Sequence, residues 1–295
     1  MAVPILLFLL GFVLLIKGGD WFVDGASGLA HRFQLPELLI GATVVSIGTT
    51  LPEVMVSSQA AAIGNSGISY GNAIGSIICN ASLIAALTVA IRPSRVNNKA
   101  LIFPVVSFFI AAAIYAGTAY IRGSFSRVDG IIFLVMFVAY MVITVWQMKK
   151  NPEEAEGTET GSEESAEETP LWKELVLLIV GAAAIAIGAN LLVDNGTKIA
   201  QWLGVPDSVI GLTMVALGTS LPELVTAITS LIKGHGALSL GNIIGANLFN
   251  IVLVSGMAIT IHPFAIPADK TLAGINSSLL VDIPLMFAVM IILCI

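Results

Sequence analysis

The 295-residue chain is 57% hydrophobic and 11% charged, with a mean hydropathy of +0.96. Soluble domains carry about a quarter charged residues, so a soluble globular protein is excluded and a polytopic membrane protein is expected. The net charge of −6 is concentrated: eight acids lie between Glu153 and Glu168. The remainder is near balance, with no basic patch interleaved with aromatics to suit nucleic acid. Cys79 and Cys294 both fall in apolar runs, and His31, His235 and His262 are scattered near loops, so neither a disulfide framework nor a zinc site is expected.

The first apolar run, 3–24, lacks a positive leading segment and a small-residue cleavage site, and it reads as a retained span rather than a signal peptide. Lys17, Asp20 and Asp24 punctuate it, and Lys17–Asp20 reads as a local pair near a helix end. Further spans are expected at 38–63, 71–91, 101–120 and 128–148, separated by turn-forming clusters such as Asn65-Ser66-Gly67 and Arg92-Pro93-Ser94. Residues 151–170 are acidic and too polar to pack in lipid, and they read as a disordered linker; a regulatory Ca2+-binding role would be better supported by an EF-hand-like loop pattern, which is absent. Spans resume at 171–193, 208–232, 241–261 and 275–295.

The two halves are copies. GATVVSIGTTLPE at 41–53 returns as GLTMVALGTSLPE at 211–223, an offset of 170 residues that also superimposes Gly71-Asn72 on Gly241-Asn242, Gly75 on Gly245 and Asn80 on Asn250. The expected division is 1–150, linker 151–170 and 171–295, and the offset implies a tenth span starting near residue 298. Five spans per copy is odd, so the second copy enters the membrane upside down: an all-α inverted-topology repeat with its duplicated motifs near the midplane. With the N-terminus outside, the inner side collects Arg32, Arg92, Arg95, Lys99, Lys149, Lys150, Lys173 and Lys233, against Arg122, Arg127, Lys198 and Lys270 outside. That asymmetry favours N-out with a cytoplasmic linker.

Each copy places a glutamate, Glu53 and Glu223, one residue after a proline in an apolar span. An intramembrane carboxylate costs ~2.5 kcal/mol or more and marks function by default. Pro52 and Pro222 have no N–H, so the carbonyls of Gly48 and Gly218 lose their helical partners. Thr49, Thr50 and Glu53 share one side of a helical turn, with Ser46 nearly two turns back, and Thr219, Ser220 and Glu223 repeat the arrangement. In the neighbouring spans Asn72, Ser76 and Asn80 align at i, i+4 and i+8, mirrored by Asn242, Ala246 and Asn250, with glycines 71, 75, 241 and 245 allowing close helix approach. A lone Asn, Ser or Gly in a span is usually packing glue; a Gly-Asn pair at a span entrance can be a mere cap; matched glutamates are different. Carboxylates, hydroxyls, amides and carbonyls without thiolate or imidazole form a hard-cation set, suited to Ca2+ or Na+.

At GTTLPE, GTSLPE and the paired GN-x-IG-x4-N segments, nearly the whole chain resembles the sodium/calcium exchangers of the cation/calcium antiporter superfamily, compact prokaryotic type. The resemblance implies a secondary antiporter in a prokaryotic plasma (inner) membrane, exchanging Na+ for Ca2+ by alternating access and moving net charge, with no cofactor and no obligate protein partner beyond the lipid bilayer. It further implies four ion positions in a diamond. The central Ca2+ position would use Glu53, Glu223, Thr49 and Thr219. A Na+ position toward the cytoplasm would use Thr50, Ser76, Glu223 and the Ser46 carbonyl. The outward one would use Ser220, Glu53 and the Ala216 carbonyl, and Asn80 and Asn250 would frame the middle. Two departures stand out: Ala246 lacks a hydroxyl the family pattern often has, and Asn250 stands where many relatives carry Asp, which argues against K+ co-transport. The rivals are a Ca2+/H+ exchanger using the same glutamates, a Ca2+ channel, which an internal inverted repeat disfavours, and a membrane enzyme, for which Gly19-Asp20 is an isolated and insufficient motif.

Overall fold

The computed structural model describes residues 2–91, 98–150, 170–205, 218–267, 271–272 and 274–295, with the side chains of 98, 99, 149 and 150 outside the description. Seven helices among the described residues are long and apolar enough to cross a membrane: α1 (Ala2–Arg32), α2 (Glu37–Ala62), α3 (Ser66–Ile91), α4 (Ala100–Arg122), α5 (Arg127–Met148), α6 (Leu171–Trp202) and α8 (Gly236–Ile261). Two shorter apolar helices are α7 (Leu221–Ile232) and α9 (Ser278–Cys294). The expected linker and the first part of the seventh span, including Ala216, lie outside the described residues, as do Arg92, Arg95 and Lys270.

The nine segments follow the apolar runs, with instructive differences at the ends. Helices α1 and α6 run for 31 and 32 residues, well past residues 24 and 193, because polar groups at the ends do not stop a helix that still has a neighbour to pack against. Helix α3 starts at Ser66, where the Asn65 side chain accepts from the Ile68 N–H at 3.2 Å as an N-cap. Gly71-Asn72 and Gly241-Asn242 therefore sit inside helices rather than at span entrances. Ahead of α9, β1 (Thr271–Leu272) pairs antiparallel with β2 (Ile275–Asn276), so residues 275–277 precede the helix instead of belonging to it.

The repeat is visible in the backbone. Gly64 and Gly234, one offset apart, both adopt positive φ (76° and 89°) at the ends of α2 and α7. Gln34 (φ 49°) and Gly204 (φ 79°), also one offset apart, turn the chain after α1 and α6 in the same left-handed way. Helices α1 and α6 lie against each other through paired glycines. A Cβ on Gly11 would stand 2.8 Å from the Gly188 carbonyl, and one on Gly188 would stand 2.8 Å from the Gly11 carbonyl. The same contact, exchanged between halves, recurs where a Cβ on Gly18 would lie 3.0 Å from the Gly181 carbonyl. Each half thus presents the same face to the other, as a two-fold relation requires.

Two apolar clusters hold the remainder. Phe22, Val23, Ile40, Val45, Ile185 and Leu238 join α1, α2, α6 and α8. Tyr115, Phe108, Phe133, Phe249 and Met286 join α4, α5, α8 and α9. Between them α8 is almost wholly enclosed, and it packs against α2, α3 and α7. This places the polar faces of α2, α3, α7 and α8 in the interior.

Candidate cation site

Four interior helices carry the duplicated motifs, and three of them are locally rewound. Helix α2 has a π-helical turn at Gly41–Val45, α3 one at Asn80–Ile84 and α8 one at Asn250–Ser255. Asn80 and Asn250 each open their π turn, so the repeat governs backbone as well as side chain. A π turn shifts carbonyls out of the α-helical ladder and is frequent at functional sites. Side chains take up part of what is released. The Ser46 hydroxyl donates to the Gly41 carbonyl at 2.8 Å, and the Ser255 hydroxyl to the Asn250 carbonyl at 2.9 Å, each spanning five residues back. Tyr140 on α5 donates to the Ala42 carbonyl at 3.1 Å.

Pro52 lies inside α2, whereas Pro222 occupies the first turn of α7, so the matched prolines have different surroundings: one interrupts a continuing helix and the other begins one. Helices α1 and α6 cover both, with Phe22 and Ile185 lining a narrow crevice that also touches Gly48, Thr49 and Pro222.

Glu53 and Glu223 are buried, at 0% and 1% exposure, and by hydrogen-bond geometry none of the four carboxylate oxygens has a partner among the described residues, the Thr49 hydroxyl coming nearest to offering one to Glu223. The two lie on helices that touch, α2 and α7. Around them Thr50 and Ser220 are buried with unpartnered hydroxyls, and both amide atoms of Asn80 and the Oδ1 of Asn250 are equally without partners. The Asn250 Nδ2 donates to the Ala246 carbonyl at 3.0 Å, which fixes the amide and leaves its oxygen free. Buried polar atoms are nearly always paired, and a buried carboxylate without a counter-charge is among the costliest arrangements in a protein. An acceptor-rich set of this kind is chemically matched to a hard cation.

The remaining expected residues divide. Ser76 is buried on α3, and Thr219 is partly buried in the turn before α7. Thr49 is buried, but its hydroxyl donates to the Asn242 Oδ1 at 3.1 Å. The Ser46 hydroxyl likewise reaches Asn242, at 3.1 Å to its carbonyl and 3.3 Å to its Oδ1. Ala216 lies outside the described residues. Asn242 thus pins α2 to α8, whereas Asn72, its repeat mate, donates to the Glu53 carbonyl at 3.2 Å and the Ser57 hydroxyl at 2.9 Å. Both asparagines are visible in the repeated Gly-Asn pairs, but their different partners are not. The expected Lys17–Asp20 pair forms at 3.7 Å. Lys233, at the end of α7, adds a second contact there, to Asp24 at 2.7 Å and Asp20 at 3.6 Å, which no sequence pattern announced.

Glycines 241 and 245 do allow close approach. A Cβ on Gly241 would run into the Leu38 carbonyl, and one on Gly245 into the Ser46 hydroxyl; Gly41 faces the Leu238 carbonyl reciprocally. At Gly71 and Gly75 no described atom lies within 4 Å of the corresponding point; their repeat-related neighbours, residues 208–217, fall outside the description.

The family model described as sodium/calcium exchanger protein matches residues 3–146 and 173–295. An uncharacterized membrane protein of Methanocaldococcus jannaschii is 40% identical over 83% of this chain and 77% of its own length. The sodium/calcium exchanger MaX1 of Methanosarcina acetivorans is 30% identical over 100% of this chain and 91% of its own. Among solved structures, the sodium-calcium exchanger NCX_Mj soaked with 10 mM Na+ and 10 mM Sr2+ superimposes with a TM-score of 0.81 at 33% identity, covering 99% of this chain and 91% of that one. With the helices, the inverted repeat and the paired glutamates already in place, these similarities settle that the chain belongs to the sodium/calcium exchanger family of membrane cation antiporters.

Proposed function

We propose that this protein exchanges Na+ for Ca2+ across a prokaryotic plasma membrane by alternating access, with Glu53 and Glu223 as the carboxylates that hold the ions in turn. The observation that carries this reading is the pair of buried carboxylates, matched across the repeat, whose four oxygens have no hydrogen-bond partner among the described residues. Two negative charges neutralise one Ca2+ or two Na+, so the ions compete for one set of oxygens, and competition at a single alternately exposed site couples their movement. Thr50, Ser220, Ser76, Thr219, Asn80 and Asn250 supply neutral oxygens around the carboxylates, and the Ser46 and Ala216 carbonyls complete the set by resemblance. Thr49 supplies a further hydroxyl oxygen, which its bond to Asn242 orients in the present conformation. The two repeats are 1–150 and 171–295, with the N-terminus outside and the acidic linker 151–170 in the cytoplasm. If more charge moves on Na+ than on Ca2+, each net charge is worth ~2.3 kcal/mol per 100 mV, and membrane voltage biases the flux.

The test is 45Ca2+ uptake into proteoliposomes loaded with Na+ and diluted into Na+-free buffer, with Glu53→Gln as the control. Uptake that needs both the Na+ gradient and Glu53 supports the reading. Uptake driven instead by a pH gradient without Na+ replaces it with Ca2+/H+ exchange at the same glutamates.

A further inference from the structure

Helix α7 has three chemically distinct faces. Val225 and Thr229 lie against Gly19 of α1. Leu224 and Ala227 pack with Ile84, Ala85 and Ile243. The third face carries Glu223, Thr226 and Ser230 at i, i+3 and i+7, in one line along the helix. Thr226 and Ser230 are each 0% exposed, and neither hydroxyl has a partner among the described residues. That is unusual: a buried Ser or Thr in a helix ordinarily donates to the carbonyl three or four residues back, as Thr88, Thr43 and Thr260 do here. On α8, which runs antiparallel beside α7, Ser239 falls on the same face as Asn242 and Asn250, is 1% exposed and is also unpartnered.

From this arrangement we propose that the hydroxyls of Thr226, Ser230 and Ser239 line the route by which a desolvated cation passes between Glu223 and the membrane face at which Arg32, Glu37 and His235 lie. The inference rests on the transport reading above but does not depend on which ion is coupled. The line is polar only in the second half: one offset away, Val56 and Ala60 replace Thr226 and Ser230, and Ser69, the mate of Ser239, is used up by a 2.8 Å bond to the Ser57 carbonyl. In this conformation the route is shut. Gly41 and Gly241 bring α2 and α8 into backbone contact, Ser46 fills the space beside Gly245, and the His235 Nδ1 meets the Glu37 Oε1 at 2.6 Å across the helix starts. Parting that contact would turn a row of unsatisfied hydroxyls toward water and give a cation successive oxygens in place of its hydration shell.

Thr226→Val and Ser230→Ala remove the hydroxyls with little change of shape. Each is expected to slow Ca2+ uptake about tenfold, the worth of one hydrogen bond to a charge, while the Ca2+-induced rise in melting temperature stays as in wild type because both glutamates remain. Ser230→Cys, in inside-out and right-side-out vesicles, is expected to react with the membrane-impermeant 2-(trimethylammonium)ethyl methanethiosulfonate from the Glu37–His235 side only, read as intact mass beyond that of wild type, which carries Cys79 and Cys294. Wild-type uptake rates in both hydroxyl variants, with Ser230→Cys unmodified from either side, would overturn the route. If wild type takes up Ca2+ on a pH gradient and not on Na+, the coupling ion changes, and side-specific modification of Ser230→Cys still decides the route.

Discussion

Thr49 on α2 donates to the Asn242 side chain on α8 at 3.1 Å, and this bond joins an expected ion ligand of the first half to the backbone-contact face of the second. The same Asn242 oxygen lies 3.3 Å from the Ser46 hydroxyl, so one amide organises two residues of the repeated motif. Its repeat mate Asn72 stays within its own half, on Glu53 and Ser57. Pseudo-symmetric residues in non-equivalent bonds are what an alternating-access protein requires, because the two ends must not be closed by the same contacts at once.

Asn242→Leu should therefore be more than a local packing change. Removing the acceptor leaves the buried Thr49 hydroxyl with only the Ser46 carbonyl at 3.5 Å, whereas Ser46 keeps the Gly41 carbonyl, and the lost bond costs about 1 kcal/mol. The closed contact between α2 and α8 weakens, and Thr49 no longer has a fixed direction. The expected result is a Ca2+ affinity reduced about fivefold to tenfold, measured as a rightward shift in the Ca2+ dependence of uptake. An unchanged half-saturating Ca2+ concentration would show that the amide has no part in placing Thr49.

Glu53→Gln and Glu223→Gln should each abolish exchange, yet stabilise the protein in ion-free buffer. A buried carboxylate without a counter-charge is destabilising, whether it stays ionised or must take up a proton, and a neutral amide of equal shape is less so. Melting temperature measured by tryptophan fluorescence in chelator should rise above wild type, and the further rise on adding Ca2+ should be lost. A variant that melts lower than wild type without ions would mean that the carboxylate has a structural partner.

These residues were legible in the sequence because duplication supplied its own control: a glutamate in a span is suggestive, and the same glutamate one offset later beside the same proline is specific. The span count followed from apolar runs for a similar reason. Other features left no trace. A π turn changes which carbonyl meets which N–H without requiring a particular residue, so Asn80 and Asn250 could be aligned but not seen to open such turns. Helices α1 and α6 extend past the apolar runs 3–24 and 171–193 because hydropathy marks what lipid can cover, whereas the helices continue along their mutual glycine contacts. The sequence does not single out Thr226 and Ser230, because a hydroxyl in a span normally satisfies itself on its own helix, and here neither does among the described residues.

The glycine contacts give a paired test of closure. A methyl on Gly241 meets the Leu38 carbonyl, within closely packed backbone that cannot yield without moving a helix. Overpacking of this sort costs on the order of 1–3 kcal/mol. Gly241→Ala should lower the melting temperature and open the α2–α8 contact, raising thiol reactivity of a cysteine at position 239; Gly71→Ala is the repeat-related comparison, at a position whose repeat-mate partners lie outside the described residues. Equal effects of the two substitutions would mean that the contact at Gly241 is no more restrictive than its mate.

Asn250→Asp adds a third carboxyl group to the interior while keeping the side chain's shape. The native amide donates through Nδ2 to the Ala246 carbonyl and leaves Oδ1 unpartnered. A protonated carboxyl can make that same donation, so the variant is accommodated in its neutral form without a new charge beside Glu53 and Glu223. Once ionised, the group has no donor to offer Ala246 and adds a buried charge, a combination that only a bound cation relieves. Binding Ca2+ should then drive a proton off the new carboxyl, so by linkage the affinity of Asn250→Asp for Ca2+ must climb with pH more steeply than that of wild type. The measurement is the Ca2+ concentration for half-maximal uptake between pH 6 and pH 9 in both proteins, with Asn80→Asp as the repeat-related comparison. Parallel pH profiles for wild type and Asn250→Asp would place position 250 outside the field of the bound ion.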